Sequence, residues 1–260
     1  MSQPEMESTQ VRENGWTAVP VDASRILNGK PFIHQPQALT VDEITFPFHD
    51  GTVASVQAYV KTHLPRQTFN HSMRVYYFGN YERKIYESTG LIEWLASAIL
   101  KQQFPEHATA LSPSTLALTC LLYDIGTSQE NISSTRMSFE FYGAIQALNL
   151  VKELGSTKDQ AEAVCETIIR HQDLGTEGTI TFLGQLTQLA TIYDNVGLFN
   201  RIIHETTLKD VNRVFPREGW LGCFADTIRE EKRLKPWCHS THIADFEAQV
   251  ESNKLMNPYE

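Results

Sequence analysis

The sequence predicts an all-α protein, a helical bundle preceded by an irregular N-terminal arm, and three observations support this prediction. From residue 52 onward, apolar side chains recur at the spacing that places them on one face of a helix. Residues that cap or stop helices bound several of these segments. No series of alternating polar and apolar residues competes with them, so we expect no large sheet.

The predicted helices follow one another along the chain. Thr52 is the predicted N-cap of the first helix, which includes Val60 and stops before Pro65. Asn70 is the predicted N-cap of the second. Five further segments have helical period and length: Leu91–Phe104, Ser114–Ile125, Ser138–Leu154, Lys158–Arg170 and Phe182–Val196.

Boundary signals support several of these helices. Ser112 followed by Pro113 is typical of a helix start, because proline in the first turn gives up no helical hydrogen bond. Gly155 directly after Leu154 indicates a helix end, and Thr157 is placed to cap the next helix. These signals fix boundaries that periodicity alone leaves open.

The first 50 residues show no sustained period and predict a largely irregular arm, residues 1–50. Residues 51–250 form the predicted helical domain, and the polar residues 251–260 form a tail that we expect to fray. The aromatic residues of the arm are Trp16, Phe32, Phe46 and Phe48. These residues could pack on a neighbouring subunit as well as on the arm's own domain, so a homo-oligomer is one of the alternatives.

Length and composition favour one compact domain and argue against nucleic acid and membranes as partners. The 260 residues are 41% hydrophobic and 20% charged, as is ordinary for a globular chain. A net charge of −9 without a basic patch argues against nucleic acid. The sequence has neither a start typical of a secretory signal nor an apolar run of about 18 residues that could span a membrane. We therefore expect a soluble, cytoplasmic protein. The four cysteines are too scattered for a disulfide framework or a zinc ribbon.

Histidine and aspartate recur at the ends of the predicted helices, at His71, Asp124, His171 and Asp194. Asp124 follows an almost wholly apolar stretch, and Asp194 follows another, so both carboxylates are expected to be buried. A buried carboxylate is costly unless it is paired or binds a metal. Any one of these residues alone is more often a helix cap or a surface group, but together they favour a bound cation.

The segment Leu121–Gly126 reads L-L-Y-D-I-G and resembles the L-L-H-D-I-G motif that names the HD superfamily, with tyrosine in place of histidine. In that superfamily an earlier histidine, the His-Asp doublet and a later aspartate bind a divalent metal. The resemblance therefore implies a metal site at His71, Tyr123, Asp124 and Asp194 within an HD domain.

Longer segments resemble the fungal cyanamide hydratase (urea hydro-lyase) branch of that superfamily. They are Asn70–Val75, Thr135–Gly143, Ile169–Gly175, Gly184–Leu186 and Lys235–His239. The resemblance runs from about Asn70 to Pro258, with the stretch 79–94 as an apparent insertion. It implies a lyase that adds water to the nitrile of cyanamide to give urea, with one Zn²⁺ ion per chain.

The resemblance also suggests roles for individual residues. A metal held by imidazole and carboxylate lowers the pKa of bound water towards about 7, which makes hydroxide available. Asp124 is the candidate to accept a proton from that water, and His171 is the candidate proton shuttle. Asn70 and His171 are the candidate substrate contacts. For His171, a cap on the preceding helix is an equally good interpretation.

Two other clusters have structural interpretations that we prefer. Met137, Phe139, Phe141 and Tyr142 form an aromatic-rich stripe that suits a small pocket, but packing of a helix is the commoner reason for such a stripe. Cys238, His239 and His242 resemble part of a metal site but have no fourth partner in the sequence, so we assign them no metal.

Tyr123 is the departure from the motif that matters most. A phenol has a pKa near 10 and is a poor zinc ligand at neutral pH, and its longer ring would displace the metal. The helix around Leu122 needs only packing to form. We therefore predict a correctly folded protein whose zinc binding is weakened or lost and whose activity is reduced.

Two other functions stay open at this stage. A metal-dependent nucleotide phosphohydrolase, common in the HD superfamily, would need cations near the metal, and Arg74, Arg136 and Arg170 are candidates. A non-catalytic HD-domain protein that binds a ligand or partner is the other alternative, and Tyr123 is the best argument for it.

Overall fold

The computed structural model describes residues 9–79, 102–108 and 110–260, and helices dominate this part of the chain. The α-helices are α1 (Ala23–Ile26), α2 (Gly51–His63), α3 (Arg66–Gly79), α4 (Pro105–Ala108), α5 (Pro113–Leu122), α6 (Gln129–Ser134), α7 (Phe139–Glu153), α8 (Lys158–Arg170), α9 (Phe182–Val196), α10 (Glu205–Val214), α11 (Trp220–Leu234) and α12 (Phe246–Glu251). Strands β1 (Ala18–Pro20) and β2 (Thr179–Thr181) form an antiparallel pair. The all-α prediction is confirmed.

Short 3₁₀ turns lie between or after these elements, at Val41–Glu43, Ile125–Thr127, His239–His242 and Asn257–Tyr259. The predicted insertion at 79–94 and most of the predicted helix Leu91–Phe104 lie outside the described residues. None of the described helices is long and apolar enough to cross a membrane.

The predicted helix boundaries are right where a capping signal was strong. Helices α8 and α9 have the predicted bounds, and α5 begins at Pro113 after its cap Ser112. The two predicted N-caps Thr52 and Asn70 are wrong. Asp50 caps α2 by accepting from two backbone N–H groups, and Asn70 lies inside α3 because that helix begins directly after Pro65.

Some elements had no clear signal in the sequence. The prediction missed α10, α11 and α12, whose apolar residues are confined to one side of strongly charged segments. It also missed the β1–β2 pair, because strands of three residues are too short to show alternation.

Helix α3 is the centre of the bundle. All its residues from Asn70 to Gly79 are buried, and it packs against α2, α5, α9, α10 and α11. A helix that is covered on every side buries its polar residues with its apolar ones. His71 and Arg74, three residues apart, are therefore placed together in the interior.

Two glycines bring α7 against the turn that follows α5. A Cβ atom on Gly126 would lie 2.0 Å from the carbonyl oxygen of Phe139, and a Cβ on Gly143 would lie 2.9 Å from the backbone nitrogen of Gly126. Neither position has room for a side chain. This close approach fixes the turn that begins at Asp124.

The N-terminal arm packs on its own domain. Trp16 and Phe32 pack against the main apolar core, and Phe46 is buried with its ring 4.8 Å from that of Tyr76. Phe48 is 56% exposed. Three of the four aromatic residues thus pack into the domain, and the exposed Phe48 ring lies 4.8 Å from that of Phe46, although the arm is irregular apart from short elements.

The tail after Glu251 is ordered by packing, so the expectation that it frays is wrong. Met256 is fully buried, and the Asn253 amide donates to the backbone oxygen of Asp194 over 3.0 Å. The carboxylate of Glu260 accepts from the Arg217 guanidinium and from the backbone N–H of Leu221. The tail thus closes over the end of α9.

Candidate active site

The structure brings together the four residues of the predicted metal site. His71 lies on α3, Tyr123 and Asp124 directly follow α5, and Asp194 lies near the end of α9. All four side chains are at most 1% exposed. His71 lies between the two carboxylates, with Nδ1 2.5 Å from Asp194 Oδ2 and Nε2 3.7 Å from Asp124 Oδ2.

Asp194 is surrounded by donors. Arg74 donates through Nε to Oδ1 at 3.0 Å and through Nη2 to Oδ2 at 2.9 Å, and Arg217 donates through Nη1 to Oδ1 at 2.5 Å. Burial alone would raise the pKa of Asp194, but the two guanidinium groups outweigh it and hold that pKa well below its usual range. Asp194 is therefore ionised, and His71 provides its fourth donor.

His71 must be the neutral tautomer that carries its proton on Nδ1. Asp194 is ionised and can only accept a hydrogen bond, so the 2.5 Å contact requires that Nδ1 of His71 carries a proton. Burial lowers the pKa of His71 to about 4, although Asp194 acts in the opposite direction. Nε2 is consequently a lone pair, and it points towards Asp124 without a hydrogen-bond partner.

Asp124 and Tyr123 have the opposite surroundings from Asp194. Neither the Asp124 carboxylate nor the Tyr123 hydroxyl has a hydrogen-bond partner of good geometry, although both groups are buried. The Tyr123 phenol lies close enough to Asp124 to oppose the effect of burial on the pKa of that carboxylate. Burial raises the pKa of Asp124 to about 7. Burial and the neighbouring Asp124 raise the pKa of Tyr123 well above its usual value, so the phenol keeps its proton.

The Tyr123 ring lies between two histidines. Its centroid is 5.7 Å from that of His71 and 5.2 Å from that of His171, with an edge-on arrangement in both cases. His171 is the C-cap residue of α8 and donates through Nδ1 to the backbone oxygen of Ile168 over 2.7 Å. His171 thus ends the helix as its cap, and its Nε2 is left as an acceptor, while its role towards a substrate stays a prediction.

A small cavity of about 20 Å³, here called the chamber, lies beside Asp124. That volume exceeds the roughly 10–15 Å³ that one water needs. Its polar lining is Asp124, His171, Gln172, Thr191 and Asn195, and its apolar lining is Leu174, Ile192, Val196, Phe224 and Phe246. The chamber therefore has room for about one water beside the unpartnered carboxylate.

Other predicted residues do not reach the chamber. Asn70 donates through its amide to the backbone oxygen of Pro216 over 2.8 Å, away from the chamber lining. Phe139 is buried in packing and Met137 is 40% exposed, so the aromatic-rich stripe serves packing and surface. His239 pairs with Glu140, with Nδ1 2.7 Å from Oε1, rather than with Cys238.

Sequence reasoning missed Arg217, Trp220 and Asn195 as parts of the site. Trp220 stacks on the His71 ring with centroids 4.2 Å apart and donates through Nε1 to Asn195 Oδ1 over 2.7 Å. Asn195 adjoins Asp194 in sequence, which was a usable signal. Trp220 begins α11, which was not predicted, and Arg217 lies three residues before it, so no signal placed either residue.

The donor set present does not fit a zinc centre. The four lone-pair sites of the Asp194 carboxylate are taken by Arg74, Arg217 and His71, which leaves none for a metal. The unpartnered donors are His71 Nε2 and the Asp124 carboxylate, beside a protonated phenol. Within the described ranges no group of three or more His, Cys, Asp or Glu side chains is arranged to bind a metal.

Comparison with known proteins identifies the family. No protein-family model matches the chain. The chain is 37% identical over 232 residues to the cyanamide hydratase DDI2 of Saccharomyces cerevisiae. These 232 residues are 89% of this chain and 92% of the yeast protein. The cyanamide hydratase DDI3 of the same yeast matches to the same extent. The similarity covers nearly the whole of both proteins, and the chain belongs to the cyanamide hydratase family of enzymes.

Proposed function

We propose that this chain is a hydratase that adds water to the nitrile of cyanamide to give urea, with an activity weakened by Tyr123. The observation that carries the proposal is the unpartnered, buried Asp124 carboxylate beside a chamber of about 20 Å³. A buried group without a partner is costly for the fold, and such groups are retained at functional sites. The names of the yeast relatives supply the substrate.

Hydration of a nitrile is balanced without any outside proton. The oxygen of water bonds to the nitrile carbon, one proton of water passes to the nitrile nitrogen, and the resulting isourea tautomerises to urea as its hydroxyl proton moves to nitrogen. The site must therefore accept a proton from water and return one to nitrogen. A group with a pKa near neutrality serves both steps, and burial raises the pKa of Asp124 to about 7.

The residues around the chamber have complementary roles in this proposal. Asp124 accepts the proton of the attacking water, and His171 Nε2 orients that water as a second acceptor. The oxygen of the Asn195 amide is fixed by the Trp220 indole. Its NH₂ group is consequently left to donate to the nitrile nitrogen, where negative charge develops.

Tyr123 is the reason that we expect weak activity. The family resemblance implies one zinc ion, which supplies a water of lowered pKa when it is bound. Tyr123 offers a protonated phenol where the motif has an imidazole, and Asp194 has no free lone pair. We propose that the chain as written binds little or no zinc.

Tyr123→His tests the proposal, with Tyr123→Phe as its matched control at the same position. Only the histidine variant regains a nitrogen ligand, so we expect zinc approaching one per chain and a rise in urea release of about 100-fold or more. Metal content is measured by mass spectrometry after dialysis, and urea release is measured on cyanamide. Equal metal content and equal rates in all three proteins would refute the proposal.

The nucleotide phosphohydrolase alternative has less support. Arg74 is fully buried and paired with Asp194, Arg170 pairs with Asp173 at 2.7 Å, and Arg136 is exposed. The described chamber lining contains no lysine or arginine to neutralise phosphate. Phosphate release from a nucleotide panel by Tyr123→His, in the absence of urea release from cyanamide, would favour that alternative.

The non-catalytic alternative is decided by the same variant. If Tyr123→His binds zinc but hydrates no nitrile, the chain is a binding protein built on this fold. If it binds zinc and releases urea, Tyr123 is a disabling substitution in an enzyme. The two results cannot be confused, because metal content and turnover are measured separately.

A further inference from the structure

A second cavity lies next to the chamber and is much larger. This outer cavity has a volume of about 780 Å³ and is bounded by the arm around Asp22, the loop 174–178, the end of α9 and residues 242–249. The outer cavity and the chamber share four lining residues, Leu174, Ile192, Val196 and Phe246. These four side chains, here called the wall, separate the two spaces.

We propose that the wall is a size filter through which substrate passes from the outer cavity to Asp124, and that Phe246 sets the size limit. The proposal rests on the proposed function, since it concerns access to the same site. It adds that the enzyme selects small, linear, uncharged nitriles and excludes branched or aromatic ones. The outer cavity is then the entrance.

The chemistry of the wall supports passage of an uncharged molecule. Its four side chains are all apolar, and they offer no hydrogen bond to a passing group. An ion would lose its hydration there without compensation, whereas a small neutral nitrile loses little. Polar groups begin again only inside the chamber, where Thr191 Oγ1 and the Asp124 carboxylate have no hydrogen-bond partner.

The placement of the wall residues supports a fixed aperture. Ile192 and Val196 are one turn apart on α9, on either side of Asp194. Leu174 is three residues after His171, in the loop after α8. Phe246 is the first residue of α12, and its ring meets that of Phe224 edge-on with centroids 5.8 Å apart.

Phe246 is the largest of the four and belongs to a different apolar cluster from α9. It packs with Trp220, Phe224 and Ile228 in the cluster of α11 and α12, whereas the core of the bundle forms a separate cluster. Leu174 packs against the same cluster as Phe246, whereas Ile192 and Val196 lie on α9, which contacts α12.

A thiol introduced into the chamber measures access without any need for catalysis. Thr191→Cys is nearly isosteric and places a sulfur at the chamber lining. The full chain with this change is treated with methyl and benzyl methanethiosulfonate, and peptide mapping separates the introduced thiol from the four native cysteines. We expect labelling by the methyl reagent and little labelling by the benzyl reagent.

Adding Phe246→Ala should raise the rate of benzyl labelling about 10-fold or more relative to methyl labelling. Ile228→Ala is the matched control, because Ile228 is 2% exposed in the same cluster but lines neither cavity. A benzyl rate that Phe246→Ala leaves unchanged, or that Ile228→Ala raises equally, would overturn the proposal.

Activity gives a second measurement in the Tyr123→His protein. Phe246→Ala should raise the ratio of kcat/KM for N-benzylcyanamide to that for cyanamide, and Ile228→Ala should not. If Tyr123→His has no hydratase activity, the proposed function fails but the labelling result still decides whether the wall is a filter. If labelling shows a filter and the activity ratio does not change, passage through the wall is not what selects the substrate.

Discussion

The two buried carboxylates of the site, Asp194 and Asp124, have the same burial and opposite surroundings. Both are at most 1% exposed, and both face the imidazole ring of His71. Asp194 lies at Nδ1 and Asp124 lies near Nε2. Asp194 has two guanidinium partners, and its pKa lies well below the usual range. Asp124 has no hydrogen-bond partner, and burial raises its pKa to about 7.

The difference teaches that burial of a carboxylate does not by itself define its role. Asp194 joins α3, α9 and the tail through Arg74 and Arg217, and it fixes the tautomer of His71. It is a positioning residue that contributes to stability. The Asp124 carboxylate makes no hydrogen bond, so its presence is explained by what it does to a ligand.

The largest expected effect comes from breaking the Asp194 end. Arg217→Met removes a fully buried partner of Asp194 and Glu260, and it should lower the free energy of unfolding by about 3–5 kcal/mol. Urea denaturation followed by circular dichroism measures this loss. Arg233→Met, at an exposed pair with Glu230, is the control and should cost no more than about 1 kcal/mol. Similar losses in the two variants would contradict the assignment.

A smaller effect of opposite sign is expected at the Asp124 end. Asp124→Asn removes a buried charge that has no partner, so the free energy of unfolding at pH 8 should stay the same or rise by up to about 3 kcal/mol. The same denaturation experiment measures it, and urea release should fall. A clear loss of stability would show that Asp124 has a structural partner after all.

The smallest effect concerns Glu140, a third buried carboxylate that is half partnered. One of its oxygens binds His239 and the other has no partner. The bond to Glu140 raises the pKa of His239 above its usual value, and Asp173 and Glu231 act in the same direction. His242 stacks on the His239 ring, with centroids 4.3 Å apart.

Since the folded pKa of His239 is the higher one, its stabilisation is complete below about pH 6.5 and is lost as the pH rises through the folded value. We expect a loss of about 1 kcal/mol or less between pH 5.5 and 8.5. His239→Gln lacks this group, so the difference in unfolding free energy between the two proteins should shrink as the pH rises. A difference that is constant with pH would exclude the charged pair.

Much of the scaffold was predictable from local patterns. The caps Ser112 and Thr157 and the apolar stretch before Asp124 act within a few residues, so the sequence predicts α5, α8 and the burial of Asp124. The longer segments, such as Thr135–Gly143 and Ile169–Gly175, also led to the correct family. The wrong N-cap at Asn70 also came from a local signal. Pro65 was interpreted only as the end of the preceding helix, but α3 begins at the next residue, Arg66.

By itself the sequence determined the helical fold, the family, and the burial of Asp124 and Asp194. Only the tertiary structure decided which carboxylate has partners. Arg217 lies 23 residues from Asp194 along the chain, and Arg74 lies 120 residues from it. Whether a buried charge is neutralised depends on such distant partners, because electrostatic contacts form across space between elements that packing brings together.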